Sequence, residues 1–350
     1  MPILALGGIF DTINNQLLLR QAMKWGVTYW DTAESYNRTK SEQGMGIYIG
    51  THSDERKKMF LVTKASYRRS GVDTRDLTRR LNASLERLQT DYVDLYFLHA
   101  LRDPAVLNGE VKAWAERMKR EKKIKFFGFS THQNMAEHLK AAAKAGWIDG
   151  IMVKYDYRIA EQLKPAVEAA AKAGIGLTAM KTQAGRQRRG EGKTKPKLLE
   201  KFLEKGFTDF QAKLKAVWEC EQMATLCSQM PNLTILSANV AAALDKAKLT
   251  EEDKKQMARH ARETCSGYCA GCTAICESAL AGAAPIGDVM RCLMYYHSYG
   301  DRDRARETFH ELPARVRKEL ARLDYSKAER RCQQHMPIAA LMKEAAEILA

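Results

Sequence analysis

Across roughly the first 240 residues, a short apolar run followed by a helical stretch recurs eight times. The apolar runs fall at residues 3–6, 27–31, 60–64, 92–99, 124–130, 150–155, 176–180 and 233–237. Between them the apolar side chains return at helical spacing. Leu18, Ala22 and Trp25 share a face ahead of Gly26, and Leu77, Leu81, Leu85 and Leu88 form one stripe that Asp73 or Thr74 can cap. Ala141-Ala142-Ala143-Lys144-Ala145-Gly146 recurs as Ala169-Ala170-Ala171-Lys172-Ala173-Gly174, each copy ending a helix on glycine before a strand. Strict strand–helix alternation implies a parallel sheet, open or closed. Eight units favour closure into a barrel. The open dinucleotide-binding alternative needs a glycine-rich turn after the first strand, which Gly7-Gly8 alone does not supply.

From about Leu249 the rhythm stops. A charged helical segment at 251–262 leads into a cysteine run, then helices near 289–296, 302–311, 314–323 and 338–349. The expected architecture is therefore α/β: a (β/α)8 TIM barrel over residues 1–248 and an added C-terminal helical, cysteine-containing module over 249–350. With 350 residues, 45% of them apolar, the chain can bury such a core. No apolar run is long enough for a transmembrane helix. The opening residues lack the basic flank of a secretory signal and enter a strand almost at once. A cytoplasmic location is expected, with a leader or opening hairpin trimmed away. The net charge of +15 raises the question of a polyanionic partner. Most basic residues are scattered in pairs such as Arg68-Arg69, and the one sustained basic run spans 186–195. That pattern reads as solvated faces and a phosphate-handling loop rather than a nucleic-acid surface.

Three of the strands end on reactive groups. Asp31 closes the second, with Tyr36 in the loop beyond it; Lys64 closes the third and His99 the fourth. In a parallel barrel these ends share one face, where active sites form. Carbonyl reduction needs a hydride donor and a proton for the developing alkoxide. A tyrosine gives up its proton more readily when a cation lowers its pKa from about 10. Lys64 supplies that cation, Asp31 holds it, and His99 orients the substrate oxygen. Taken singly, Tyr36 is a surface residue, Lys64 a strand-end lysine and His99 a turn histidine; their order along successive strands makes them a site. Trp30, Tyr67 and Tyr157 are aromatic candidates for a pocket wall.

At these residues the sequence resembles the aldo-keto reductase family. The matching pieces are Gly26-Val27-Thr28-Tyr29-Trp30-Asp31-Thr32-Ala33, Tyr36, Ser41-Glu42, Val62-Thr63-Lys64, Leu88-Gln89-Thr90-Asp91-Tyr92-Val93-Asp94-Leu95, Leu98-His99, Gly128-Phe129-Ser130 and Met180-Lys181. The resemblance spans residues 3–248. It implies a catalytic tetrad of Asp31, Tyr36, Lys64 and His99, and a nicotinamide cofactor, NADP or NAD, across the carboxyl face. Cofactor contacts are expected from Gly8, Ile9, Asp31, Ser130, Tyr155, Met180, Lys181, Ser237 and Asn239. Several positions depart from the family pattern. Thr131 stands where many members have asparagine, Met152 where many have glutamine, and Asp156 replaces the usual asparagine. Leu236-Ser237-Ala238-Asn239 replaces the glycine-then-basic phosphate clamp. No arginine for a 2′-phosphate is visible there, and Lys181 or the basic run at 186–195 are the alternatives.

Four of the eight cysteines, Cys265, Cys269, Cys272 and Cys276, fall within twelve residues. Without a secretory signal, this spacing argues for metal rather than disulfides. The run resembles the ferredoxin-like segment appended to one branch of the family, which implies a 4Fe-4S cluster. It departs in its first gap of three residues and in Glu277 where proline usually follows. Cys332 is a candidate remote ligand. A four-cysteine zinc site and a metal-free run are the alternatives. Cys220, Cys227 and Cys292 read as core or helix cysteines.

The leading expectation is an NAD(P)-dependent oxidoreductase acting on a small carbonyl or alcohol, with a redox partner protein if the cluster carries electrons. The alternatives are a non-catalytic cofactor-binding barrel acting as a redox sensor or regulatory subunit, and an iron-sulfur electron-transfer protein.

Overall fold

The computed structural model describes residues 2–67, 71–183, 206 and 208–350. The basic run at 186–195 and the Arg68-Arg69 pair lie outside the described residues. Eight parallel strands close into a barrel in chain order. They are β1 (Leu4–Gly7), β2 (Tyr29–Asp31), β3 (Phe60–Ala65), β4 (Val93–Leu98), β5 (Ile124–Thr131), β6 (Gly150–Lys154), β7 (Gly176–Met180) and β8 (Met223–Gln229). Closure runs through β1 and β8, with Leu4 opposite Leu226 and Gly7 opposite Gln229.

Alternation along each strand sorts the side chains. Ala5, Tyr29, Val62, Leu95, Phe97, Met152 and Met180 fill the barrel interior. The Tyr29 hydroxyl meets Thr178 Oγ1 there at 3.2 Å. The other strand face packs under the helices through Leu6, Trp30, Leu61, Tyr96 and Phe127. Asp73 caps the helix Thr74–Arg87 by accepting from the Arg75 and Asp76 amides. At Gly128 the backbone comes so close to β6 that an added methyl would run into the Gly150 carbonyl. Gly128→Ala is therefore expected to destabilise the fold by about 1–3 kcal/mol, the usual cost of overpacking. A urea midpoint equal to that of the parent chain would show that the two strands can part without cost.

The last strand lies ten residues earlier than the sequence suggests. Residues 233–237 belong to the helix Leu233–Leu244, not to a strand. Asn232 caps it, accepting from the Ile235 amide at 3.0 Å, and the alanine-rich stretch through Ala243 sustains it. Leu233 and Ile235, the residues that make the segment look like a strand, stand exposed on the helix. The true β8, Met223-Ala224-Thr225-Leu226-Cys227-Ser228-Gln229, has only one β-branched residue, and so gives a weak strand signal.

Helices make up the rest: Glu251–Glu263, Thr273–Ser278, Ile286–Met294, Arg302–His310, Ala314–Glu319, Ser326–Arg331 and Ile338–Ile348. The third runs on into a π-helical turn, Tyr295–Tyr299. All but the first share an apolar core, which includes Ile286, Val289, Leu293, Phe309, Leu341 and Met342; Met257 of the first packs with Ala212 and Leu249. Polar seams fix them to the barrel's carboxyl face. The Asn134 amide donates to the Gly271 carbonyl at 2.7 Å, and the Ala274 amide to Asn134 Oδ1 at 2.9 Å. Arg102 grips Asp288 with both terminal nitrogens, at 2.5 and 3.1 Å. The Tyr268 hydroxyl donates to Asp156, and Lys154 to the Cys269 carbonyl. Among the described residues no helix is long and apolar enough to cross a membrane.

Candidate active site

A cleft of about 1030 Å³ opens over the carboxyl ends of the strands, where the sequence places the reactive groups. Lys64 stands at its base and is 1% exposed. Its ammonium pairs with Asp31 Oδ1 at 2.5 Å, donates to the Thr32 carbonyl at 2.8 Å and reaches the Tyr36 hydroxyl at 3.5 Å. Tyr36 lines the cleft, held by a turn in which its amide donates to the Ala33 carbonyl at 3.0 Å. The next three residues, Asn37, Arg38 and Thr39, are all left-handed, with φ of 48°, 52° and 72°. Such strain in residues other than glycine collects at sites that surrounding structure over-determines. Ala100, directly after His99, and Lys181, directly after Met180, turn the same way at their strand ends. His99 packs edge-on against Tyr36, with ring centroids 5.6 Å apart, and its Nδ1 shares a 3.3 Å hydrogen bond with Ser35 Oγ. The four groups expected from the sequence thus converge.

Their electrostatics differ in one respect from the sequence expectation. Burial raises the Tyr36 pKa to about 12, outweighing the downward pull of Lys64. The phenol is therefore fully protonated at neutral pH and able to donate. Burial opposes the charge on Lys64, but Asp31 and Tyr36 outweigh it and raise its pKa. Burial also raises Asp31, against the pull of Lys64. Burial lowers His99 well below the ordinary histidine value, helped by Lys64, Arg291 and Arg304. The imidazole is thus a neutral hydrogen-bonding group.

A pH dependence of stability follows. His99, His132 and His138 are all lowered, in each case mainly by burial. Below about pH 6.5 the unfolded chain binds protons at these sites while the native form does not. Stability present above pH 6.5 is therefore lost as pH falls, each histidine contributing at most about 1.4 kcal/mol per pH unit. Denaturant titrations between pH 8 and pH 5.5 should show the urea midpoint dropping on the acid side; a flat or rising midpoint there would contradict the lowering of these histidines.

Of the expected cofactor positions, Ile9, Asp31, Met180 and Lys181 line the cleft. Gly8 lies just behind it. Its amide donates to the Asp31 carbonyl at 2.8 Å, and a side chain there would strike Met45 and Ser41. Ser130 is buried and accepts from the Ala100 amide at 2.9 Å, and Tyr155 is buried beneath the β6 end. Ser237 is exposed on the helix after β8 and is not part of the cleft lining. Asn239 is buried there and donates to Ser228 Oγ at 3.0 Å. With β8 ending at Gln229, it is Ser228, Gln229, Pro231 and Ile235 that face the cleft. Asp156 has a structural partner, since its carboxylate takes the Tyr268 hydroxyl and anchors the C-terminal segment. Trp30 is fully buried under the helices and does not reach the cleft, whereas Tyr67 lines it.

Sequence reasoning misses the contribution of the C-terminal helices. Arg291, Tyr295, Tyr299 and Arg304 line the same cleft as Tyr36 and His99. The Arg304 guanidinium lies 4.7 Å from the Tyr295 ring centroid and 5.9 Å from that of Tyr36. The Lys181 ammonium lies 4.6 Å from the Tyr295 ring centroid. The available signal was the aromatic and polar run Tyr295-Tyr296-His297-Ser298-Tyr299 directly after the helix Ile286–Met294. Cys227, read as an ordinary core residue, also faces the cleft, close enough to Asp31 and Lys64 for their charges to act on its thiol.

A second, smaller cavity gathers thiols. Cys269, Cys272, Cys276 and Cys332 line it together with Ile275, Met290 and other apolar side chains. Cys265 is not in this lining; it begins a 3-10 turn, Cys265–Gly267. Among the described residues no three His, Cys, Asp or Glu side chains stand close enough to hold a single metal ion. All eight cysteines are free thiols. Burial pushes Cys272 up to about 11 and Cys276 up to about 12.

Among curated proteins the chain is 26% identical over 271 residues to the aldo-keto reductase str7 of Strobilurus tenacellus, covering 68% of this chain and 78% of that one. It is 26% identical over 164 residues to the aldo-keto reductase yakc [NADP(+)] of Schizosaccharomyces pombe, covering 44% and 47%. It spans about half the length of most of the curated relatives it matches. Among solved structures, it aligns with an aldo/keto reductase from Klebsiella pneumoniae in complex with NADP and acetate. The TM-score is 0.60 at 26% identity, over 74% of this chain and 91% of that one. A thermostable aldo-keto reductase in complex with epalrestat aligns with a TM-score of 0.61 at 27% identity, over 74% and 95%. The family model for the Aldo/keto reductase family matches residues 10–260, the stretch that contains Asp31, Tyr36, Lys64 and His99, and the chain belongs to that family.

Proposed function

We propose that this protein is an NAD(P)-dependent aldo-keto oxidoreductase that interconverts a small carbonyl compound and its alcohol. The observation that carries this is the Tyr36 hydroxyl at 3.5 Å from an ammonium that is itself clamped to Asp31 at 2.5 Å. Residues 1–248 would form the catalytic barrel and 249–350 the appended module. The cleft volume is at the upper end of the range of about 300–1,000 Å³ usual for small-molecule sites, large enough for a dinucleotide and a substrate. Ile9, Met180, Lys181, Ser130, Tyr155 and the backbone at Gly8 would hold the nicotinamide end. The chain after β8, with Ser237 and Asn239 on its helix, would meet the remainder. NADP is the first choice, because the similar Klebsiella pneumoniae structure holds it; NAD is the alternative.

The bound nicotinamide supplies or accepts the hydride. In reduction, Tyr36 donates its phenolic proton to the carbonyl oxygen as that oxygen gains charge. Lys64 then stabilises the phenolate left behind, and Asp31 keeps Lys64 in place and charged. Tyr36 recovers its proton from solvent. The neutral His99 imidazole orients the oxygen by hydrogen bonding, a preorganised contribution of several kcal/mol in comparable sites. Anaerobic assays of purified protein with NADPH and a panel of aromatic, aliphatic and sugar aldehydes test the reading. One NADPH consumed per alcohol formed is expected; no aldehyde-dependent oxidation by protein that binds the cofactor would refute it.

The same chain is proposed to hold a 4Fe-4S cluster on Cys269, Cys272, Cys276 and Cys332. Four thiols around one apolar cavity suit a thiolate-ligated cluster. They are not drawn to the spacing of about 3.8 Å that one tetrahedral zinc with Zn–S bonds of about 2.3 Å requires. Raised thiol pKa values mean that loading releases protons. The cluster would brace the module against the barrel, and any electron exchange would require a redox partner protein. Anaerobic preparations should contain iron and sulfide and show broad visible absorption. Cys332→Ser should lose that absorption and Cys265→Ser keep it; the reverse would exchange the two residues' roles, and iron-free protein would remove the cluster.

A further inference from the structure

The cleft lining holds Arg102, Lys181, Arg291 and Arg304 and the acids Asp31, Asp103, Asp301 and Glu311, yet among the described residues none of these acids stands within ion-pair distance of Arg291 or Arg304. Among its lining residues, Asp31 is committed to Lys64. Asp103 accepts from the Ala105 amide and Asp301 caps the helix Arg302–His310, both at the exposed rim, where Glu311 also sits. The remaining nearby acid is Asp288, 2% exposed and shared between two arginines: Arg102 at 2.5 Å and Arg291 at 3.4 Å. Arg304 has no carboxylate within ion-pair distance among the described residues. Two guanidinium nitrogens facing this region, Arg291 Nε and Arg304 Nε, are buried without a hydrogen-bond partner, as is Nδ1 of the neighbouring His132. Buried donors left unpaired are costly, which makes them candidates for pairing with a ligand.

The titratable neighbours respond to this field. Burial alone would raise Tyr295, yet Lys181, Arg304 and Arg291 together bring it down to about 8. Lys181 is lowered to about 8, by burial first and then by Arg291 and Arg304, against the pull of Tyr295. His99 is lowered partly by the same two arginines.

Location narrows the identity of the missing anion. Arg304 lies over the Tyr36 ring, and Tyr36 is where the carbonyl oxygen must sit. A nicotinamide delivering hydride at Tyr36 keeps its diphosphate a ribose away from that point. The Arg304 guanidinium would therefore lie beside the substrate rather than the diphosphate.

We infer that the carbonyl substrate is an anion, carrying a carboxylate or phosphate that Arg291 and Arg304 of the C-terminal helices hold beside the Tyr36 hydroxyl. This rests on the reductase reading above. It also gives the C-terminal segment a role in choosing the substrate.

The test uses the full-length holoprotein and matched pairs: 4-carboxybenzaldehyde against 4-methylbenzaldehyde, and glyceraldehyde 3-phosphate against glyceraldehyde. The expected result is a kcat/KM preference of about tenfold or more for the anionic member of at least one pair, which names the oxyanion. Arg304→Met should bring that ratio to about one, mainly through KM of the anion, and Arg304→Lys should restore part of it. Calorimetry of benzoate, or inorganic phosphate, against benzamide on the NADP-loaded protein supplies a readout free of turnover. Anion binding that Arg304→Met abolishes supports the anion site itself; if no aldehyde is then reduced, it is the reductase reading that fails and not the site. Equal kcat/KM within both pairs, or an Arg304→Met defect confined to NADP affinity, would overturn the inference.

Discussion

Tyr36→Phe is expected to lower kcat for aldehyde reduction by at least about 100-fold, since a positioned general acid commonly contributes 10²–10⁴. The ring remains, so its packing against His99 at 5.6 Å is kept, and only the hydroxyl 3.5 Å from Lys64 is lost. Cofactor affinity should change little. The raised pKa of about 12 sharpens the expectation, because the parent residue is in its donating form throughout the physiological range. No ionisation of Tyr36 should then appear in the reduction pH profile below about pH 10. A variant that retained turnover would show that the proton comes from elsewhere in the cleft, with Tyr295 the first group to examine.

Asp288→Ala is expected to destabilise the protein by about 3–5 kcal/mol, the usual cost of leaving buried charge unpaired. Asp288 is 2% exposed and ties Arg102 and Gln133 of the barrel to Arg291 of its own helix. Its removal strands the buried Arg291 guanidinium and unties Arg102, so the seam between barrel and C-terminal helices should open first. Urea unfolding should shift to a lower midpoint, and hydrogen exchange should quicken across Ile286–Met294 before it quickens in the strands. Asp288→Asn, which keeps the shape and part of the hydrogen bonding, should lose less. An unchanged midpoint in Asp288→Ala would show that the seam rests on its apolar contacts and the Asn134 hydrogen bonds instead.

The barrel was legible because its period is dictated by physics. Each unit must bury one face of a strand and one stripe of a helix, so the pattern survives even where individual residues drift. The last unit escaped because β8 is built from Met223, Thr225, Leu226 and Cys227, while the β-branched cue sits in the following helix. Asp31, Tyr36, Lys64 and His99 were legible because successive strand ends meet on one face. The sign of the net Tyr36 shift was not, since it depends on how much water the folded cleft excludes, which no local motif records. Arg291 and Arg304 were hidden for a similar reason. They lie more than 250 residues beyond Tyr36 in the chain, and their meeting with it depends on how the C-terminal helices dock. The choice between Cys265 and Cys332 is likewise a matter of tertiary approach, because spacing along the chain favours the first and the thiol-lined cavity favours the second.

The most direct measurement follows deuterium from NADPH labelled, in separate samples, on each face of the nicotinamide C4. With purified protein and an aldehyde it reduces, one sample should deliver its label to the carbinol carbon, the other should retain it on the oxidised cofactor, and neither should lose it to water. Tyr36→Phe should deliver the label to the same carbon, far more slowly. Label appearing in solvent, or at the carbinol carbon equally from both samples, would contradict direct hydride transfer at a single site formed by Asp31, Tyr36, Lys64 and His99.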